Sequence, residues 1–89
     1  MPRIEKVTRV IDGDTFETNR RKHPVRLANV NTPEKGTRGF QSTKQFLQAM
    51  IEGKEVSIET VARDKYSRSV ADVRIRRQSV NKAVKKQMR

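Results

Sequence analysis

Arg26, Asn31, Thr32 and Glu34 lie together at the end of the apolar run Val25-Arg26-Leu27-Ala28-Asn29-Val30, gathering a guanidinium, an amide, a hydroxyl and a carboxylate. Upstream, the tight turn Asp12-Gly13-Asp14-Thr15 offers further acid. Downstream, Asp64-Lys65-Tyr66-Ser67-Arg68 offers a second arginine. Acids and arginines on turn-rich segments suit metal-assisted attack on a phosphodiester. The carboxylates hold a hard cation and orient a water, and the guanidiniums clamp phosphate oxygens through paired hydrogen bonds.

Taken singly, each residue has a plainer reading. Asp14 after Asp-Gly is a common turn residue. Thr32-Pro33-Glu34 matches an ordinary helix start, with Thr as N-cap, Pro at the first helical position and an acid in the first turn. Arg26 reads equally as a surface charge, and Tyr66 and Arg68 as loop decoration. The lone His23, among charged residues before Pro24, is expected to be exposed and without a catalytic role.

The elements that must position these residues are short. Val7, Val10 and Ile11 precede Asp12-Gly13, a dipeptide expected to supply the positive φ angles of a tight hairpin, and Thr15-Phe16-Glu17-Thr18 resumes β-prone alternation. A loop at Asn19–Pro24 leads to a third strand expected from Val25 to Val30, completing a three-strand meander. Phe40, Thr43, Phe46, Leu47, Met50 and Ile51 recur at helical spacing after Gly39, with Gly53 placed to end the helix in a left-handed C-cap. Lys54–Thr60 and Val70–Ile75 read as strands four and five. Ser79 can cap a short last helix with Val80, Ala83 and Val84 on its apolar side. The expected fold is mainly β within the α+β class: a five-stranded OB-type barrel with a helix between strands 3 and 4 and a short C-terminal helix, a design that commonly binds nucleic acid.

Composition agrees with that class of partner. The chain carries 21 Lys+Arg against 10 Asp+Glu, a formal charge of +11 on 89 residues, which favours polyanions through counterion release. From Val73 onward there are seven basic residues and no acid, either a solvated cationic end or part of the polyanion surface. A chain of this length forms one domain, here residues 1–89, and buries roughly 60% of its unfolded surface. No apolar run exceeds Ala49-Met50-Ile51, so these residues hold neither a membrane span nor a signal-peptide core, and with a Met1 start an intracellular protein is favoured. The absence of Cys excludes disulfides, thiolate zinc sites and a cysteine nucleophile.

The joint order of the segments is more specific than any one of them. Ile11-Asp12-Gly13-Asp14-Thr15, Val25-Arg26-Leu27, Asn31-Thr32-Pro33-Glu34, Asp64-Lys65-Tyr66-Ser67-Arg68 and Val80-Asn81 together resemble the staphylococcal nuclease family over Lys6 to Val84. The resemblance implies an OB barrel that hydrolyses DNA and RNA phosphodiesters with Ca²⁺ and little sequence preference. It implies that Asp14, Asn31 and the Thr32 backbone carbonyl face the calcium. Arg26 and Arg68 would hold the phosphate and stabilise its developing charge, Glu34 would activate or orient the water, and Lys65 and Tyr66 would engage a substrate phosphate.

Two departures from the family pattern qualify the expectation. Asn31 stands where the family has an acid, so the metal site loses a formal charge and activity is expected to be low; the alternative is a nucleic-acid-binding OB module weakened in catalysis. The chain also stops at Arg89, without the family's last helix: it is either a trimmed piece or a naturally short domain whose apolar flank a protein partner or a second copy covers. A third reading keeps the barrel only as a protein-interaction scaffold. Scarce aromatics, Tyr66 and three Phe, argue against a base-stacking single-strand binder.

Overall fold

A computed structural model describes residues 3–88. The strands β1 (Arg3–Asp12), β2 (Thr15–Thr18) and β3 (Val25–Leu27) form the antiparallel meander. Helix α1 (Phe40–Ile51) follows, then the hairpin of β4 (Glu55–Arg63) and β5 (Ser69–Ile75), the two-residue β6 (Gln78–Ser79) and helix α2 (Val80–Gln87). The first half of β1 pairs with β4 and its second half with β2, while β3 runs parallel to β5. Strands β1, β2, β3, β5 and β4 therefore close on one another as the five-stranded barrel, and β6 is an annex to β5.

Closure requires β1 to bend, and its register against β2 shifts between Val7 and Arg9 and again between Val10 and Asp12. Such bulges add twist and curvature to a strand. The second is tied down by the Glu52 carboxylate, which accepts from Val10 N–H at 2.9 Å just past the end of α1. Alternation along the strands sends Val7, Phe16, Val25, Leu27, Ile58 and Val73 into the barrel, all essentially sealed from water. Helix α1 buries Phe40, Thr43, Leu47 and Ile51 on one stripe, and α2 buries Val80, Asn81 and Val84. Gly53 has φ 79°, the left-handed conformation expected past the end of α1. Ser79 Oγ accepts from Lys82 N–H at 3.3 Å, capping α2 as expected.

Three local expectations, and one plainer alternative, are corrected. The third strand ends at Leu27 rather than Val30, because Asn29 adopts φ 59° and turns the chain out of the ladder. Asp12 and Gly13 do not take positive φ. Gly13 is instead needed for close approach: a Cβ there would come within 2.5 Å of Thr43 Cγ2 and 3.2 Å of Thr32 Cβ. Thr32-Pro33-Glu34 does not start a helix; the chain stays irregular until Gly39, at φ 90°, precedes Phe40. Strand β4 runs on to Arg63, beyond Thr60, because Arg63 still pairs with Ser69 across the hairpin.

Candidate active site

Arg26 occupies the middle of β3 between two fully buried neighbours, Val25 and Leu27, so strand alternation points it outward. It stands beside Thr15 on β2 and Val70 on β5. Leu27 N–H donates to the Asp14 carbonyl at 2.8 Å, which fixes the Asp12–Thr15 turn against the end of β3. One guanidinium nitrogen of Arg26, Nη2, is then surrounded by three oxygens. The Val30 carbonyl and Asn31 Oδ1 accept from it at 3.1 Å each, and Asp14 Oδ2 lies 3.6 Å away.

Asp14 is only 9% exposed. Its Oδ1 accepts from Thr15 Oγ1 at 2.9 Å, and its N–H donates to Asp12 Oδ1. Burial, and then the neighbouring Asp12 carboxylate, push the Asp14 carboxyl above its ordinary value, against the opposing effects of Thr15 and Arg26. The charged form is thus disfavoured, and a further cation beside it would be stabilised. Thr32 joins this end of the barrel, its Cβ packed close to Gly13.

The second cluster is the turn at the tip of the β4–β5 hairpin. Asp64 organises it, accepting from Tyr66 N–H at 2.9 Å, Arg68 N–H at 3.0 Å and Arg68 Nε at 2.6 Å. Slight burial of Asp64 is outweighed by these donors and the Arg68 charge, which hold its carboxyl below the usual range. Ser67, at φ 66°, closes the turn. Tyr66 is exposed, with Lys65 Nζ 5.2 Å and Arg68 Cζ 5.3 Å from its ring centroid, within the reach of cation–π attraction.

The parallel β3–β5 register relates the two clusters. Arg26 lies opposite Val70, and alternation carried back two residues puts Arg68 on the same outer face. Glu34 stands in the exposed stretch beyond Asn31. Its backbone carbonyl accepts from Thr37 N–H and the Thr37 hydroxyl, which fold the loop, while its carboxylate makes no hydrogen bond or ion pair among the described residues. Arg26 therefore contacts both Asp14 and Asn31, alternation brings Arg68 toward the face of Arg26, and Glu34 makes no hydrogen bond or ion pair with any of them among the described residues.

Residues 24–88 match the model of the staphylococcal nuclease homologue family, a span that takes in Arg26, Asn31, Glu34 and the Asp64–Arg68 turn. The chain belongs to that family. An uncharacterized endonuclease of Escherichia coli O157:H7 is 33% identical over 70 residues, covering 76% of this chain and 46% of the relative. An uncharacterized endonuclease of Haemophilus influenzae is 31% identical over 85 residues, covering 92% and 48%. A protein named ParB of Escherichia coli is 33% identical over 70 residues, covering 76% and 40%. The chain thus spans under half the length of these curated relatives.

Within this staphylococcal nuclease homologue, the oxygens around Arg26 Nη2 are the kind a hard divalent cation takes: a carboxylate, an amide oxygen and a main-chain carbonyl. Asp14 and Asn31 thus offer oxygens that fit such a cation, although here both face Arg26, and the carbonyl beside them is that of Val30 and not of Thr32. Among the described residues no three His, Cys, Asp or Glu side chains gather at one place, so a metal here depends on neutral oxygens as well as Asp14. Two contributors escaped the sequence reading. Asp12, taken there as a turn residue, adds charge next to Asp14. Asn81, noted only as part of a motif, is buried and bridges β3 to β5, its Nδ2 donating to the carbonyls of Ala28 and Ala71 while Oδ1 accepts from Val73 N–H at 2.9 Å. Asn81 thereby fixes the point where β3 turns into the Asn31 loop.

Proposed function

We propose that this chain is a calcium-dependent endonuclease that hydrolyses phosphodiester bonds of DNA or RNA with little sequence preference and low activity. The observation that carries the reading is the convergence of Asp14 and Asn31 on Arg26 at the end of β3, with Arg68 brought toward the same face by the β3–β5 pairing. Family membership and the endonuclease names of the relatives support it. So does a formal charge of +11, which concentrates polyanions at the surface.

In this reading Asp14, Asn31 and the Thr32 carbonyl hold the calcium, which when bound supplies Lewis-acid polarisation of the phosphate and a lowered water pKa. Arg26 and Arg68 bind non-bridging oxygens of the phosphate, where fixed guanidiniums act most strongly on the charge that develops in the transition state. Glu34, whose carboxylate has no partner among the described residues, accepts the proton of the attacking water. Lys65 and Tyr66 bind a neighbouring phosphate from the hairpin tip. The Asp64 carboxylate is a positioning group: three donors from its own turn hold it, and it aims Arg68.

One observation favours a second reading, a nucleic-acid-binding module with weakened catalysis. Asn31 carries no charge, and its Oδ1 accepts from Arg26, so one metal donor and one phosphate clamp are occupied by each other. A fluorogenic oligonucleotide incubated in calcium, in magnesium and in chelator separates the two. Turnover in calcium above the chelator level is expected. Equal rates in all three, at high concentration of a demonstrably folded sample, would leave the binding module as the function.

A further inference from the structure

Helix α1 covers the end of the barrel at the Gly13 turn; the opposite mouth is closed by side chains. There Glu5, 3% exposed and pointing inward like Val7 beyond it, accepts from Thr18 Oγ1 at 2.7 Å and from Arg21 Nε at 2.9 and 3.0 Å through its two oxygens. Arg21 Nη1 goes on to Ser69 Oγ at 2.9 Å and Thr60 Oγ1 at 3.2 Å. This plug is the floor of a cleft of about 680 Å³, in the size range of ligand sites.

The rim is strongly cationic. Arg3, Arg20, Lys22 and Arg63 stand around the cleft with His23, while Glu59 is the only acid of the lining not engaged by Arg21. None of these four cations forms an ion pair among the described residues. Like charges crowded around a concave wall repel one another and raise the local positive potential, an arrangement that a bound polyanion relieves.

The cleft also adjoins the candidate site. Ser69 N–H donates to the Pro24 carbonyl at 3.2 Å, which ties the segment just after Arg68 to the segment just after His23. On the hairpin's other strand Arg63 pairs with Ser69 and precedes Asp64 directly. The strand that carries Arg26 and the strand that follows Arg68 thus begin at the barrel mouth, beside its cations.

We propose that the barrel mouth is a subsite for the phosphodiester backbone flanking the phosphate held at Arg26 and Arg68, with Arg20 and Lys22 as its contacts, so that the substrate is an extended polynucleotide strand rather than a dinucleotide. The proposal rests on the nuclease reading for the position of the reacting phosphate. The binding of the strand does not depend on cleavage. Arg20 and Lys22 are exposed and make no side-chain hydrogen bond, so the fold tolerates their replacement, whereas Arg21 is structural.

The test compares the natural chain with an Arg20→Gln/Lys22→Gln variant. In chelator, fluorescence anisotropy with a single-stranded oligonucleotide of about a dozen nucleotides should show roughly tenfold weaker binding, with the salt slope lowered by about 1.4, or ~0.7 for each lost phosphate contact. In calcium, turnover of a dinucleotide reporter should be unchanged. Unaltered affinity and slope for the long strand would overturn the subsite, and so would equal losses on the long strand and the dinucleotide. If neither protein cleaves anything, the nuclease reading fails, and the chelator measurement still decides the cleft. A further variant, Arg26→Ala/Arg68→Ala, should retain the part of the salt-dependent binding that the double glutamine variant loses; loss of all binding there would also overturn the proposal.

Discussion

The two ends of the barrel each join an arginine to a buried acid, and the environments are opposite. At the mouth Arg21 meets both oxygens of Glu5 and two hydroxyls, and Glu5 also receives Thr18. Burial alone would raise the Glu5 carboxyl, but these donors and the Arg21 charge outweigh it and bring the carboxyl below its ordinary value. At the candidate site Arg26 lies 3.6 Å from Asp14, and Asp14 is pushed up by burial and by Asp12. Glu5 is stabilised as an anion; Asp14 is not. A pair whose hydrogen bonds are satisfied internally supports the fold, while a carboxylate short of positive charge is poised for a ligand that supplies it.

Replacing the mouth arginine tests the first half of that contrast and carries the largest effect. Arg21→Ala leaves a buried carboxylate without its cation and should destabilise the protein by roughly 3 kcal/mol, the lower part of the range for breaking such a pair. Urea unfolding measures it; a midpoint within error of the natural chain would show that water at the open mouth already solvates Glu5.

Arginines on the outer face should behave in reverse. Arg26→Ala, Arg68→Ala and Glu34→Ala should each lower turnover by roughly tenfold to a thousandfold, the scale of removing one charge stabiliser or proton acceptor. Circular dichroism should remain native, because Arg26 and Arg68 are partly solvated and Glu34 is exposed. A folded variant with the natural rate removes that residue from the proposed mechanism.

The charge deficit at the site can be changed directly. Asn31→Asp adds a carboxylate beside Arg26 with little change in volume, and should tighten Ca²⁺ binding by roughly tenfold to a thousandfold, about 1.4 kcal/mol for each tenfold. Turnover at limiting calcium should rise in parallel. Unchanged calcium affinity by calorimetry in a folded variant would mean that the loop does not hold the metal.

The smallest effect is the sign of the pH response. Glu5 has a folded-state pKa below its ordinary 4.5, so its contribution to stability is present above that value and is lost as pH falls through the lowered pKa. Asp14 has a folded-state pKa above its ordinary 3.8, so stability falls as pH rises from that value through the raised pKa. Without metal at neutral pH, Glu5→Gln should therefore lower the unfolding midpoint and flatten its loss in acid. Asp14→Asn should hold or raise the midpoint while abolishing calcium binding. Matching responses from the two variants would erase the distinction between the ends of the barrel.

Much of the fold was legible because its causes are local. Alternation marked the strands, a three-to-four spacing marked α1, and Ser79 and Gly53 marked helix ends through groups only a few residues away. The end of β3 was not legible, since Val30 is as apolar as a strand residue and only the left-handed turn at Asn29 removes it from the ladder. Arg26, Asn31 and Asp14 were legible as a motif, but the sharing of one guanidinium nitrogen by three oxygens was not.

The sequence by itself determined the barrel class, the basic character and the order of the candidate site residues, because periodicity, charge and motif spacing are properties of neighbouring positions. Tertiary structure alone decided that Gly13 is a glycine for want of space beside Thr43 and Thr32, and that Glu5 finds Arg21, which reaches on to Ser69, at the closed mouth. It also decided that Arg68 comes to the face of Arg26 through the parallel pairing of β3 with β5. Those contacts join residues far apart in the chain, and they exist only once β1 has bent far enough to pair with both β2 and β4 and close the barrel.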